Sequence, residues 1–168
     1  MSELEDIHIA LIKEVKLRLF EESVPRLKKC MDELSEEEVW QRPNEHSNSM
    51  GNLVLHLCGN VRQWILHGIG GQENNRQRQT EFDERGPVPK EKLLKDLDEL
   101  MLEVDRTLSE MDPKQLFSSA TIQGIDTSGL SILVHVTEHF SYHVGQMTYY
   151  VKALKDIDMG YYKDQDLG

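Results

Sequence analysis

Apolar residues in this chain recur every three or four positions through four long stretches, and nowhere do they alternate long enough to build a sheet. The clearest stretch carries Leu93, Leu97, Leu100, Met101, Val104 and Leu108 on one stripe of a helix expected from Lys90 to Met111. Pro87 and Pro89 mark its start and Pro113 lies just past its end. Such a chain buries its stripes against one another, and a helical bundle is the architecture that does so.

The first helix is expected from about Glu3 to Glu33, where Ile12, Val15, Leu19, Leu27 and Met31 repeat. Pro25 removes a backbone donor inside it and predicts a kink or a split. The segment LSEEEVWQRPNEHSNSMG lacks periodicity and reads as a loop, with Ser49 capping a second helix from Met50 to Ile69 that ends at Gly70-Gly71. A polar loop containing Arg76, Arg78, Glu81 and Phe82 leads to the third helix. A short extended piece is expected at Ala120–Ile122, then a fourth helix from Ser128 to Lys155 with Thr127 or Ser128 as its cap. The fold class predicted is all-α, an antiparallel four-helix bundle spanning 1–168 as one domain, with a polar, loosely packed tail over 155–168.

The chain has 30 Asp and Glu against 19 Lys and Arg, a formal charge of −11. This excess repels phosphate backbones, so nucleic acid is not expected as a partner. The N-terminal stretch is acidic where a secretory signal is basic, and no apolar run approaches the ~18–20 residues of a membrane span. A cytoplasmic protein is expected, with no membrane contact. Cys30 and Cys58 are too few for a disulfide framework and read as buried or half-buried thiols.

Chemistry concentrates in LVHVTEHFSYHVGQM, where His135, His139 and His143 stand four residues apart. Helical neighbours at this spacing lie about 5–6 Å apart and can grip one divalent ion together. At about 100° per residue the outer two are spread by ~80°, so one ion takes an adjacent pair. With Ile132 as zero, His139 falls at ~340° and His143 at ~20°, inside the arc marked by Val136, Met147, Tyr150 and Leu154, whereas His135 falls at ~300°. Glu138 falls at ~240° on the same wheel, on the outward side. HVTEH therefore matches the H-x-x-E-H zinc-peptidase pattern in letters only. On the second helix His56 sits at the edge of the stripe of Leu53, Leu57, Val61 and Trp64, sharing that edge with Asn60 and His67. Alone, His56 reads as a half-exposed surface histidine; beside the pair it becomes the candidate third ligand of an open, catalytic type of site.

The stretches QRPNEHSNSMGNLVLHLCGNVRQWI, RQRQTEF and HVTEHFSYHVGQM together resemble the DinB-like (DinB/YfiT-like) superfamily of metalloenzymes over most of the chain. The resemblance implies a four-helix bundle, often a homodimer, with a Zn or Ni ion held by His56, His139 and His143. His135 lies upstream of the motif and is not carried over as a ligand; it remains a candidate for lining the pocket. Gln146, three residues past His143, and Asn60, one turn past His56, could hydrogen-bond near the site. The R-x-R-x-x-E-F run from Arg76 to Phe82 could close over a pocket or form an internal ion pair.

Some relatives conjugate substrates with a low-molecular-weight thiol, so the resemblance implies a metal-dependent transferase that activates a thiol of the bacillithiol or mycothiol type towards a small-molecule substrate. Two alternatives stand beside it. One is a hydrolase using metal-bound water, for which the sequence offers no carboxylate base on the histidine face. The other is a noncatalytic metal-binding stress protein. No catalytic residue is assigned.

Overall fold

The computed structural model describes residues 2–163 and 165–166. It is helical apart from one hairpin. The elements are α1 (Glu3–Lys16), α2 (Val24–Asp32), α3 (Glu36–Trp40), α4 (Met50–Val61), α5 (Arg78–Asp83), α6 (Lys90–Glu110), β1 (Ser119–Ile122), β2 (Ile125–Ser128) and α7 (Gly129–Lys155). Wide π-type turns follow α1 at Leu17–Ser23 and α4 at Arg62–His67, and a 3-10 turn spans Pro113–Phe117.

α1, the first π turn and α2 form one unbroken rod, because the residues at both junctions stay right-handed helical. The split expected at Pro25 does not occur. Pro25 falls at the start of α2, directly after the wide turn, where the looser hydrogen-bond register absorbs its missing N–H. A short helix missed in the sequence, α3, is nucleated by a capping box in which Ser35 and Glu38 exchange bonds with each other's backbone. The same device starts α4, where Ser49 and Asn52 are the partners.

The four long rods pack around a core that includes Leu19, Leu27, Leu57, Leu97, Leu100 and Phe140, all fully buried. Contacts along the helices set their directions. Lys16 pairs with Asp105 and Lys28 with Asp98, so the first rod and α6 are antiparallel. His56 meets His139 and Asn60 meets His135, so α4 and α7 are antiparallel as well. Arg62 faces Glu103 while Gly70 abuts Thr107, which makes α4 and α6 parallel. Two consecutive parallel helices need a long return between them, and residues 68–89 supply it. That return runs back beside α4 and lays α5 against it.

The extended piece expected at Ala120–Ile122 is β1, paired antiparallel with β2 from Ser119↔Ser128 to Ile122↔Ile125. Its two-residue tip, Gln123 and Gly124, has positive φ at both positions (56° and 75°), the geometry that matches strand twist in a tight hairpin. The tail beyond Lys155 is more anchored than its composition suggests. Met159 is buried, and the Tyr161 hydroxyl lies 3.4 Å from Cys30 Sγ and 2.9 Å from Thr148 Oγ1. Asp164, Leu167 and Gly168 of that tail lie outside the described residues. Among the described residues no helix is long and apolar enough to cross a membrane.

Candidate metal centre

α7 turns its core face through Leu133, Val136, Phe140, Val144, Met147 and Val151. On the wheel that starts at Ile132 these residues centre at ~80°, so the core lies further round than Tyr150 and Leu154 suggest. Leu154 is exposed and Tyr150 half-buried. His139 and His143 therefore sit at the margin of the core face and not within it, each half-buried, with their rings turned towards α4. His135 is also half-buried, and Glu138 is exposed as its outward angle predicts.

His56 departs from its expected edge position in the opposite sense, being only 4% exposed. α5 covers it. The Phe82 ring lies 4.8 Å from the His56 ring, and the Arg78 guanidinium in turn lies 4.8 Å from the centre of Phe82. Glu81 Oε2 accepts from His56 Nδ1–H at 3.0 Å. Arg76 clamps the same carboxylate with two parallel bonds, Nε to Oε1 at 2.7 Å and Nη2 to Oε2 at 2.8 Å. The guanidinium also approaches His56 Nδ1 at 3.2 Å; with Nδ1 already donating to Glu81, this proximity follows from sharing one carboxylate oxygen.

The buried pair needs room. A Cβ at Gly59 would fall on the Glu81 carboxylate and 2.9 Å from Arg76 Nε, so a glycine three residues past His56 admits both side chains. Asn52 holds α5 from its other end, its Nδ2 donating to the carbonyls of Glu81 and Glu84, both at 2.9 Å. Gln63, in the second π turn, accepts from Arg76 Nη1 at 2.9 Å and from Gln123 Nε2 at the hairpin tip at 2.6 Å. A chain of polar contacts thus runs from the hairpin through Arg76 and Glu81 to His56.

With Nδ1 of His56 committed to Glu81, its Nε2 lone pair faces α7, where His139 Nε2 lies 2.9 Å away. His143 is oriented likewise, its Nδ1–H donating to Gln146 Oε1 at 2.8 Å and leaving Nε2 free to ligate. One ligand atom from each of His56, His139 and His143 falls within 4.8 Å of the others, and these three residues could hold a metal ion. Two imidazole nitrogens as close as those of His56 and His139 share a cation, either a proton or a metal. The separation is near the ~3.3 Å that two nitrogens subtend about a tetrahedral ion with bonds of about 2.0–2.1 Å. The donor set fits a divalent ion.

Protonation is disfavoured at the α7 histidines. Burial, and then the neighbouring His143, His56, His135 and Arg76, push the His139 pKa down to about 3. Burial lowers that of His143 despite its bond to Gln146, and lowers that of His135 against the pull of Glu138. Neutral imidazoles are what a metal requires. Burial works to raise the Glu81 pKa, but the hydrogen bonds from Arg76 and His56 outweigh it and hold the group ionised.

The four letters of the R-x-R-x-x-E-F run each have a place. Arg76 and Glu81 form the internal ion pair, Phe82 covers His56, and Arg78 stacks on Phe82. The link from Glu81 to His56 was not readable in the sequence, because 25 residues and a change of direction separate them. Gln146 does hydrogen-bond at the site. Asn60, buried beside it, brings its Nδ2 to 3.5 Å from His135 Nε2, and His135 packs against Trp64 with ring centres 4.1 Å apart. His67 turns away and pairs with the Gln72 carbonyl. Cys58, whose thiol burial pushes up to about 12, is not among the converging ligands.

Two solved structures share the architecture. A DinB-like protein from Bacillus subtilis (YjoA) is 16% identical and superposes with a TM-score of 0.66, over 94% of this chain and 99% of that one. A DinB-like protein from Bacillus cereus ATCC 10987 is 19% identical with a TM-score of 0.64, over 85% and 92% respectively. No functionally curated protein matches the sequence. The model of a family described as a protein of unknown function, DUF1572, matches residues 9–162. The chain belongs to the DUF1572 family, whose fold is the DinB-like helical bundle.

Proposed function

We propose that His56, His139 and His143 hold one divalent ion, Zn or Ni, and that the protein is a cytoplasmic, homodimeric transferase joining a low-molecular-weight thiol of the bacillithiol or mycothiol type to a small-molecule electrophile. The observation that carries this reading is the convergence of three Nε2-presenting imidazoles, one buttressed by a buried carboxylate. An ion held by three imidazoles supplies Lewis acidity that lowers the pKa of a bound thiol below its free value of about 8.5.

The protein's own groups do the rest. Glu81 and Gln146 set the tautomers of His56 and His143 and hold their rings in place. Phe82 shields His56 from water, and Trp64 packs against His135 beside the ligand set. The arrangement favours thiol over water as the nucleophile. Activating water calls for a nearby base, yet Glu81 lies behind His56 and is fully engaged, and Glu138 is exposed. A thiol needs less help to ionise.

Monochlorobimane supplies the test. The thiolate sulfur attacks the chloromethyl carbon, the C–S bond forms as the C–Cl bond breaks, chloride leaves with the electron pair, and the thiol proton passes to buffer. Metal-dependent turnover with bacillithiol or mycothiol is the expected result. The absence of any metal-dependent rate with a panel of such thiols refutes the transferase.

A further inference from the structure

Between α4 and α7, towards the start of α4, lies a cavity of about 640 Å³, walled by Met50 and Leu53 on one side and Tyr149, Tyr150 and Leu154 on the other. Gln146 belongs both to this wall and to the site, since its Oε1 accepts from His143 Nδ1–H. Leu53 stands one turn from His56 on the same helix. The cavity therefore adjoins the candidate metal centre through Gln146, and its volume suits a small organic molecule.

Its charge sets it apart. Among the described residues that line it there is no Asp, Glu, Lys or Arg, in a chain where these make up 29% of the sequence. The other large pockets each include charged walls, such as Arg62, Glu73 and Glu84 behind α5, or Glu14, Arg18 and Glu22 along the first rod. Uncharged walls do not compensate the desolvation of an ion, whereas tyrosine and leucine surfaces reward an apolar or aromatic body. The amides of Asn48 and Gln146 offer neutral hydrogen bonds at the rim.

We infer that this cavity seats the electrophilic co-substrate, and that this co-substrate is a neutral molecule with an aromatic or branched apolar body. This rests on the proposed transferase for the role of the ligand, but not for its binding. Gln146 is then a positioning residue between the two halves of the site.

The test uses tetramethylbimane, a neutral and unreactive fluorophore, and a bimane carrying a trimethylammonium group, each titrated against metal-free and metal-loaded protein by fluorescence anisotropy. The neutral dye is expected to bind both forms, at least tenfold more tightly than the cationic one. Ala153→Asp, at an exposed wall position, is expected to weaken the neutral dye at least tenfold with melting temperature and metal content unchanged. Equal binding of the two dyes, no binding of the neutral dye, or an Ala153→Asp variant that binds normally overturns the inference. So does sedimentation showing a second copy of the chain closing the cavity and excluding the dye. Because binding is read without metal, failure of the transferase assay leaves this result standing, and the reverse also holds.

Discussion

Glu81 Oε2 and His56 Nδ1 lie 3.0 Å apart in the interior, so a carboxylate on the return loop sets which nitrogen of a helix α4 histidine faces the candidate metal centre. Such partners of ligating histidines change metal affinity about 10–100-fold when altered. Glu81→Gln keeps the shape and removes the charge. Its Zn affinity, measured by competition with a chromophoric chelator, should fall by a factor in that range, and an unchanged affinity would show that Glu81 serves the fold alone.

The two neighbours His135 and His139 should behave differently. His139→Ala removes a converging nitrogen and is expected to abolish stoichiometric metal in the purified protein. His135→Ala, which removes a ring packed against Trp64 outside the ligand set, should retain it. Elemental analysis of both variants decides, and loss of metal from His135→Ala would shift the ligand assignment.

Gly59 lies inside helix α4, where alanine is ordinarily more favourable by about 1 kcal/mol. Gly59→Ala is nevertheless expected to lower the melting temperature and weaken metal binding, because the new methyl displaces the Glu81 carboxylate from Arg76. A stabilised variant with normal metal affinity would mean that the carboxylate relocates freely.

Acid should release one specific contact. Lys155 Nζ donates to both oxygens of Glu38, at 2.6 and 2.7 Å, and with the Ser35 backbone bond this holds the Glu38 pKa below the usual carboxylate range. A carboxylate lowered in the folded state contributes stability above its unfolded value of about 4.3, and that contribution is lost as pH falls through the folded value. The difference in melting temperature between wild type and Glu38→Gln should therefore be present at pH 7 and vanish in acid. A pH-independent difference would show that the effect does not come from the Glu38 charge and its pairing with Lys155.

Much of the bundle is visible in local pattern. The stripe from Leu93 to Leu108, the Ser49 and Ser128 caps and the stop at Pro113 each reflect forces acting within a few residues, so the start of α4 and both ends of α6 and α7 follow closely. The signal for α3 was present as well, since Ser35 and Glu38 have capping-box spacing, but the surrounding Pro and Asn obscured it. The two π turns leave no mark that periodicity can register.

By itself the sequence determined that the chain is helical and which histidines share a helix face, because both depend on spacing along one segment. Burial of His56, the marginal position of His139 and His143, and the capture of His56 by Glu81 were decided only by tertiary structure. The burial and capture of His56 depend on the parallel placement of α4 and α6, which sends residues 68–89 back across α4, and the margin position of the α7 pair on how α7 turns its core face into the bundle. Contacts between residues far apart in sequence follow from how helices are connected in space, and no local periodicity encodes that direction.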